Sequence, residues 1–167
     1  MRQSIIGSNA QPFVVGVTGG GNSGFDYNSA AVLRDVLPDS FHRQRKPTIK
    51  ILKATENLSA EYNPSRKLIQ GLWAENLSMY DTVEESNDGL QVRLMIHMGM
   101  RTKEPNYCFE TFARRDGYIH PDNLGKLPSP EDYDTGGYFD GCPEELRPDV
   151  MLRPPERQLK NFFPTTR

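Results

Sequence analysis

The groups in this chain that could do chemistry are two thiols, at Cys108 and Cys142, and a histidine and a glutamate, His97 and Glu110, on either side of the first thiol. The thiolate is the nucleophilic form of cysteine, and a helix N-terminus lowers a thiol pKa. Cys108 lies near the start of a predicted helix that contains Glu110, which makes it a candidate nucleophile. The same residues also suit a small buried apolar side chain and an exposed glutamate that pairs with Arg114.

A second group of candidates lies in the glycine-rich segment after the first predicted strand. Gly19, Gly21 and Gly24 fit the G-x-G-x-x-G pattern, in which backbone amides at a helix N-terminus bind a pyrophosphate. That pattern needs an acidic residue about 20 positions further on to bind a ribose, and neither Asp35 nor Glu56 is suitably placed. A flexible turn is the simpler interpretation, and dinucleotide binding is a third alternative.

The apolar patterns predict the elements that must position these residues. Continuous or alternating apolar stretches predict strands at residues 13–18, 49–54 and 92–98. Asn28 is the expected N-cap of a first helix that ends before Pro38, with an apolar face made by Ala30, Ala31, Leu33, Val36 and Leu37. A second helix is predicted from Asn63 through Tyr80. This alternation of strands and helices predicts an α/β domain with a mostly parallel sheet.

The length of 167 residues corresponds to one ordinary domain. We expect an N-terminal extension at residues 1–12, a single α/β domain at residues 13–148 and a proline-rich tail at residues 149–167. Eight of the thirteen prolines fall between Pro121 and Pro164, so little regular structure is expected there beyond a short helix around residues 156–162. The tail is expected to be partly disordered.

The net charge and the distribution of apolar residues indicate which partners and which location to expect. The net charge is only −2, which argues against nucleic acid as a partner, and no apolar run approaches the length of a membrane span. The N-terminus lacks a signal-peptide pattern, so a cytoplasmic location is expected, with both cysteines as thiols and the sequons at Asn57 and Asn76 coincidental. No histidine has the spacing of a metal ligand set, and neither a metal nor another cofactor is expected.

Taken together, the residues from Arg93 to Pro128 resemble the pyroglutamyl peptidase I family, also known as pyrrolidone carboxyl peptidases. The similarity lies in a strand that ends in His-x-Gly, a following glutamate and a Gly-Tyr turn with Asp-Asn after it. The matching residues are His97, Gly99, Glu110, Gly117, Tyr118, Asp122, Asn123, Gly125 and Lys126. Cys142 is similar to a non-catalytic cysteine of fungal-type members. The resemblance implies a three-layer α/β/α fold, incomplete here at its C-terminal end.

The resemblance also implies a reaction, the removal of an N-terminal pyroglutamyl residue from a peptide by a thiolate. Glu110 is then the catalytic carboxylate, and the substrate-binding residues are Thr18, Gly19, Gly21 and Phe25, the last in place of a family phenylalanine. The family segment with the catalytic cysteine and histidine has no counterpart in this sequence. We therefore expect either a truncated gene product or a natural remnant that is inactive alone. A non-catalytic peptide-binding or protein-binding remnant is the alternative.

Overall fold

The computed structural model describes residues 11–21, 27–74, 77–81, 90–100, 108–133, 136–137 and 139–149. The chain forms two compact units. The first consists of Met1–Lys103 with His120–Leu127, and the second of Glu104–Ile119 with Pro128–Arg167. The longest helix in the described part of the chain has twelve residues, and none of the helices there has the length and apolarity that crossing a membrane requires.

The first unit is built on a mostly parallel sheet, as the sequence predicts. Its elements are β1 (Phe13–Gly19), α1 (Ser29–Val36), β2 (Ser40–Phe41), β3 (Ile49–Ala54), α2 (Tyr62–Trp73), a 3-10 turn (Leu77–Met79), β4 (Tyr80–Asp81) and β5 (Val92–Met98). The strand order is β2-β3-β1-β5, with β4 also paired to β3. β1 is parallel to both β3 and β5, whereas β2 and β4 run antiparallel to β3.

The central strand β1 is buried on both faces, which explains its near-continuous run of valines. On one face, Val14 packs with Leu52 of β3 and with Leu68 and Leu72 of α2. On the other face, Val15 and Val17 form a smaller apolar cluster with Ile51. The α1 backbone runs past Gly19, which is on that second face. The crossover helices α1 and α2 therefore cover opposite faces of the sheet.

The first helix begins as predicted, but its buried face is different. The side chain of Asn28 accepts a hydrogen bond from the Ala30 backbone N–H, which confirms Asn28 as the N-cap. Ala30 and Arg34 are the buried residues, while Leu33 and Val36 are exposed. The predicted apolar face is therefore wrong at Leu33 and Val36. Ala30 and Arg34 are four residues apart and share a helix face, and this is the face that is buried. Arg34 is accommodated because its guanidinium reaches the Glu56 carbonyl.

The second helix is shorter than predicted. It ends at Trp73, and the chain then makes a 3-10 turn before Tyr80 pairs with Ala54 as part of β4. The strand pairing therefore overrides the apolar spacing that predicts helix through Tyr80. This residue is nevertheless buried, and its hydroxyl donates a hydrogen bond to the Leu72 carbonyl oxygen. Burial raises the pKa of Tyr80 to about 12, because the phenolate would lose its hydration.

The second unit has little regular structure in its described residues, as predicted for the proline-rich region. It contains an antiparallel pair, β6 (Ala113–Arg114) and β7 (Glu145–Leu146), and a 3-10 turn at Pro130–Tyr133. The predicted helix around Glu110 is wrong, because residues 108–112 have no regular secondary structure and lead into β6. Pairing with a strand more than 30 residues away determines the local conformation here. The predicted helix at residues 156–162 lies outside the described residues.

Candidate functional site

In an open parallel sheet, ligands bind at the carboxyl ends of the strands where the strand order reverses. From β1 the chain passes to β3 on one side and then, through α2, to β5 on the other side of β1. The carboxyl ends of β1 and β5 therefore form a topological switch point. The residues at this place are called here the switch-point site and are Thr18, Gly19, Gly20, Gly21 and His97.

Thr18 and His97 are joined across the switch point. They are register partners in the neighbouring strands, and the Thr18 Oγ1 atom lies 2.9 Å from His97 Nδ1. Thr18 is fully buried, whereas His97 keeps exposed surface. Desolvation nevertheless lowers the pKa of the His97 imidazole, so the ring is neutral near pH 7. With Nδ1 bonded to Thr18, Nε2 is the ring atom that can bond a ligand.

The glycine backbone at this site is held by hydrogen bonds to protein carbonyls. The Gly20 N–H donates to the Met98 carbonyl oxygen at 2.9 Å, and the Gly21 N–H donates to that of Leu58 at 2.7 Å. In return the Leu58 N–H donates to the Gly19 carbonyl oxygen at 2.8 Å. A dinucleotide site needs such amides to bind a pyrophosphate. Two of them are already bonded within the protein, and this geometry argues against the dinucleotide alternative.

Gly19 and Asn28 connect the site to α1. A Cβ atom at Gly19 would lie 2.6 Å from the Ala31 Cα atom and 2.8 Å from the Ala30 carbonyl oxygen, so only glycine allows this approach of strand and helix. The buried Asn28 side chain caps α1 through its oxygen and donates from Nδ2 to the Gly21 carbonyl oxygen at 2.7 Å. One side chain therefore fixes both the glycine turn and the start of the helix.

The structure brings together three of the predicted substrate-binding residues, Thr18, Gly19 and Gly21. Their contacts are internal, since Thr18 is bonded to His97 and the glycines are bonded or packed against neighbouring backbone. The fourth predicted residue, Phe25, lies outside the described residues. Thr18, Gly19 and Gly21 thus shape the carboxyl end of the sheet, and His97 is the titratable residue of the switch-point site.

The predicted catalytic carboxylate is not part of the same compact unit. Glu110 is an exposed residue of the second unit. The candidate thiols Cys108 and Cys142 are also exposed residues of that unit and do not form a disulfide. The helix that was expected to lower the pKa of Cys108 is absent from residues 108–112. The geometrical reason for regarding Cys108 as an activated nucleophile is therefore lost.

The link between Thr18 and His97 is the feature that sequence reasoning missed. The sequence contains a signal for it, because each residue lies at the end of a strand with a glycine one or two positions later, Gly19 and Gly99. Two strands of a parallel sheet that end at the same level bring such residues together. Which strands are neighbours is a property of the sheet order, and the sequence patterns do not specify that order.

A separate open cleft of about 240 Å³ lies at the carboxyl end of β3. It is lined by Arg34, Asp35, Lys53, Ala54, Thr55 and Asp81. Both of its cations are paired, since Arg34 Nη2 lies 2.7 Å from an Asp35 oxygen and Lys53 Nζ lies 3.0 Å from an Asp39 oxygen. The cleft thus offers little uncompensated positive charge to an anion. Within the described ranges, no three His, Cys, Asp or Glu residues are grouped as a metal site.

Comparisons with protein-family models, with curated proteins and with solved structures found no match to this chain.

Proposed function

We propose that the chain is a pyroglutamyl-peptidase-like protein whose first unit corresponds to part of a three-layer α/β/α fold. In this proposal the switch-point site binds the N-terminal pyroglutamyl residue of a peptide. The single observation that carries it is the hydrogen bond that holds the His97 imidazole against Thr18 beside the glycine turn. The resemblance of residues 93–128 to the family supplies the ligand class.

The chemistry of the ligand fits the electrostatics of the site. A pyroglutamyl ring is an uncharged lactam with one carbonyl acceptor and one N–H donor. A neutral imidazole can donate to that carbonyl or accept from that N–H through Nε2, depending on its tautomer. An anion such as a phosphate would instead favour a protonated histidine or unbonded backbone amides, and Gly20 and Gly21 have theirs bonded. The site therefore favours a neutral polar ligand.

We do not propose that this chain alone catalyses the family reaction. The family reaction needs a thiolate to attack the amide carbonyl, a histidine to take the thiol proton and a carboxylate to orient that histidine. The fully buried Thr18 hydroxyl is unsuited to attack a substrate. Glu110 remains the candidate carboxylate by resemblance. We therefore propose binding of the pyroglutamyl end of a peptide without its hydrolysis, which makes the chain a non-catalytic relative of the peptidases.

Binding is tested by NMR titration of the labelled full chain with a short peptide amide that begins with pyroglutamate. A control peptide of the same length that begins with proline has a ring of the same size, with a protonated amine in place of the uncharged lactam. We expect the pyroglutamyl peptide alone to shift the resonances of Gly20, Gly21 and the His97 ring. His97→Gln should abolish the shifts of Gly20 and Gly21, while His42→Gln, the same change on the far side of the sheet near β2, should not. Equal responses to both peptides would contradict the proposal.

Hydrolysis is tested in parallel with a fluorogenic pyroglutamyl amide, with and without iodoacetamide. We expect no release of the fluorophore from a folded sample. Turnover that iodoacetamide abolishes would show that Cys108 or Cys142 acts as a nucleophile, and it would overturn the non-catalytic assignment. The variants Cys108→Ser and Cys142→Ser would then identify which thiol is responsible.

A further inference from the structure

The chain returns to the first unit after it has begun the second. Residues His120–Leu127, called here the return segment, belong to the first unit although their sequence neighbours on both sides belong to the second. They lie beside the start of α2, where the Tyr62 hydroxyl donates to the His120 carbonyl oxygen at 2.8 Å. The Asn123 N–H donates to the Ala60 carbonyl oxygen at 3.1 Å. The switch-point site does not include this segment.

Asp122 is the centre of the return segment. Its Oδ1 atom accepts from the backbone N–H groups of Leu124 and Lys126, each at 2.9 Å, which closes a tight turn. Its Oδ2 atom accepts from the Tyr62 N–H at 3.3 Å. Gly125 has a φ of +73°, a conformation that this turn requires and that favours glycine. The hydrogen bond from the Lys126 N–H is the main reason why the pKa of Asp122 is lowered.

The contact with Tyr62 matters because α2 has no capping hydrogen bond from its own N-cap side chain. The residue in the N-cap position, Glu61, makes no capping hydrogen bond with its side chain. Asp122, which is 60 residues away in sequence, supplies a carboxylate to the first backbone N–H of the helix instead. Such a charge also interacts favourably with the positive end of the helix dipole. The return segment therefore fixes the start of α2 from outside the helix.

The start of α2 is directly connected to the switch-point site. The loop of residues 55–61 joins β3 to α2, and we call it the β3–α2 loop. Asn123 bonds Ala60 at one end of this loop, and Leu58 in its middle exchanges hydrogen bonds with Gly19 and Gly21. Leu58 also forms a parallel bridge with Gly20. The loop thus has the return segment on one side and the glycine turn on the other.

We infer that Asp122 is a positioning residue for the switch-point site, which it holds in shape through Tyr62 and the β3–α2 loop. The inference rests on the proposed function only for the identity of the ligand. Asp122 fixes the loop at its junction with α2, and the loop carbonyl of Leu58 fixes the Gly21 amide. Loss of the link to Tyr62 should therefore loosen the glycine turn without unfolding the sheet, because the β1 core residues pack independently of the return segment.

Asp122→Asn separates the two roles of the carboxylate. Asparagine has one acceptor oxygen, so it can keep the two bonds inside the turn or the bond to Tyr62, but not both. The matched control is Asp116→Asn, which removes the same charge from an exposed carboxylate that pairs with Arg115 in the second unit. Gly125→Ala is a second variant that strains the turn at its positive φ while leaving the carboxylate in place.

The first readout is site-resolved amide hydrogen exchange of the full chain without ligand. In Asp122→Asn we expect the amides of Tyr62, Leu58 and Gly21 to exchange at least about tenfold faster. The core amides of Val17 and Leu52 should keep their wild-type exchange rates. In the control variant Asp116→Asn, all five of these amides should exchange at the wild-type rate. Faster exchange at Tyr62 alone would overturn the inference, because the effect would end at α2. Equal acceleration of the core amides would show a purely structural role and also overturn it.

The second readout is the dissociation constant for the pyroglutamyl peptide, which should rise about three- to tenfold in Asp122→Asn and Gly125→Ala. Unchanged affinity in both variants would contradict a positioning role. If the wild-type chain binds no peptide, the proposed function fails, and the exchange rates still decide whether Asp122 positions the site. If Asp122→Asn does not fold, the same pattern of exchange must be present in Gly125→Ala, and its absence there overturns the inference.

Discussion

Thr18 and His97 occupy the same level of two neighbouring parallel strands, and a 2.9 Å hydrogen bond joins the Thr18 hydroxyl to His97 Nδ1. The threonine is fully buried, so its hydroxyl needs a partner inside the protein. The histidine provides that partner and is held in one orientation by it. A core residue therefore determines how a partly exposed titratable group is presented at the carboxyl end of the sheet.

Thr18→Val should separate this bond from the packing of the core, because valine has nearly the same shape and no hydroxyl. We expect a loss of about 1 kcal/mol in the free energy of unfolding, since His97 can replace its lost partner with water. The affinity for the pyroglutamyl peptide should fall about three- to tenfold, because the imidazole is no longer oriented. Urea unfolding and NMR titration measure the two effects. Thr18→Ser keeps the hydroxyl, and an equal loss of affinity there would contradict the role of the bond.

The lowered pKa of His97 makes stability depend on pH in a defined direction. The folded state holds the imidazole neutral, whereas in the unfolded chain the ring has its ordinary pKa of 6.5. As the pH falls below 6.5 toward the lower pKa of the folded state, the unfolded chain binds the proton first. The contribution of His97 to stability is thus fully present above pH 6.5. It is lost as the pH falls from 6.5 to the lower pKa of the folded state.

Urea unfolding at several values between about pH 8 and about pH 5 measures this effect. We expect the free energy of unfolding of the wild type to decrease across the window, and His97→Gln to remove part of that decrease. His42→Gln is the control, because His42 is an exposed residue whose hydrogen bonds are to Ser40 and Thr48. If His97→Gln and the wild type have the same pH dependence, the histidine is not desolvated in the folded state.

Gly19→Ala should destabilise the contact between β1 and α1. The new methyl group would lie 2.6 Å from the Ala31 Cα atom, and backbone cannot move aside as a flexible side chain can. We expect a loss of about 1–3 kcal/mol in the free energy of unfolding. Gly99→Ala is the matched control at the end of β5, where a Cβ atom meets nothing within 4 Å, and it should change stability by less than about 0.5 kcal/mol. Equal midpoints in urea for both variants would rule out the close approach.

The local parts of the fold could be predicted because their causes lie within a few residues. The three long strands follow from runs or alternations of apolar side chains, and β3 and β5 have the predicted limits. Asn28 caps α1 through a bond to Ala30 two residues away. The glycine segment lies between a strand and a helix, as predicted, although the amides of Gly20 and Gly21 are bonded to protein carbonyls rather than available to a pyrophosphate.

Where the structure differs from the sequence prediction, pairing between distant residues overrides local preference. Residues 108–112 are not helical and lead into β6, which pairs with β7, and Tyr80 leaves the predicted helix because it pairs with Ala54. Arg34 is buried in α1 because the far Glu56 carbonyl accepts from its guanidinium. None of these partners can be recognised from the spacing of apolar residues, since each depends on which parts of the chain the fold brings together.

The three long strands, the start of α1 and the α/β class of the first unit follow from the sequence alone, because side-chain periodicity and capping act over short distances. The order of the strands, the bond between Thr18 and His97 and the contact of Asp122 with Tyr62 were decided only by the tertiary structure. These pairs are separated by 79 and 60 residues, and closing such long loops is favourable only when the packing of the whole sheet contributes.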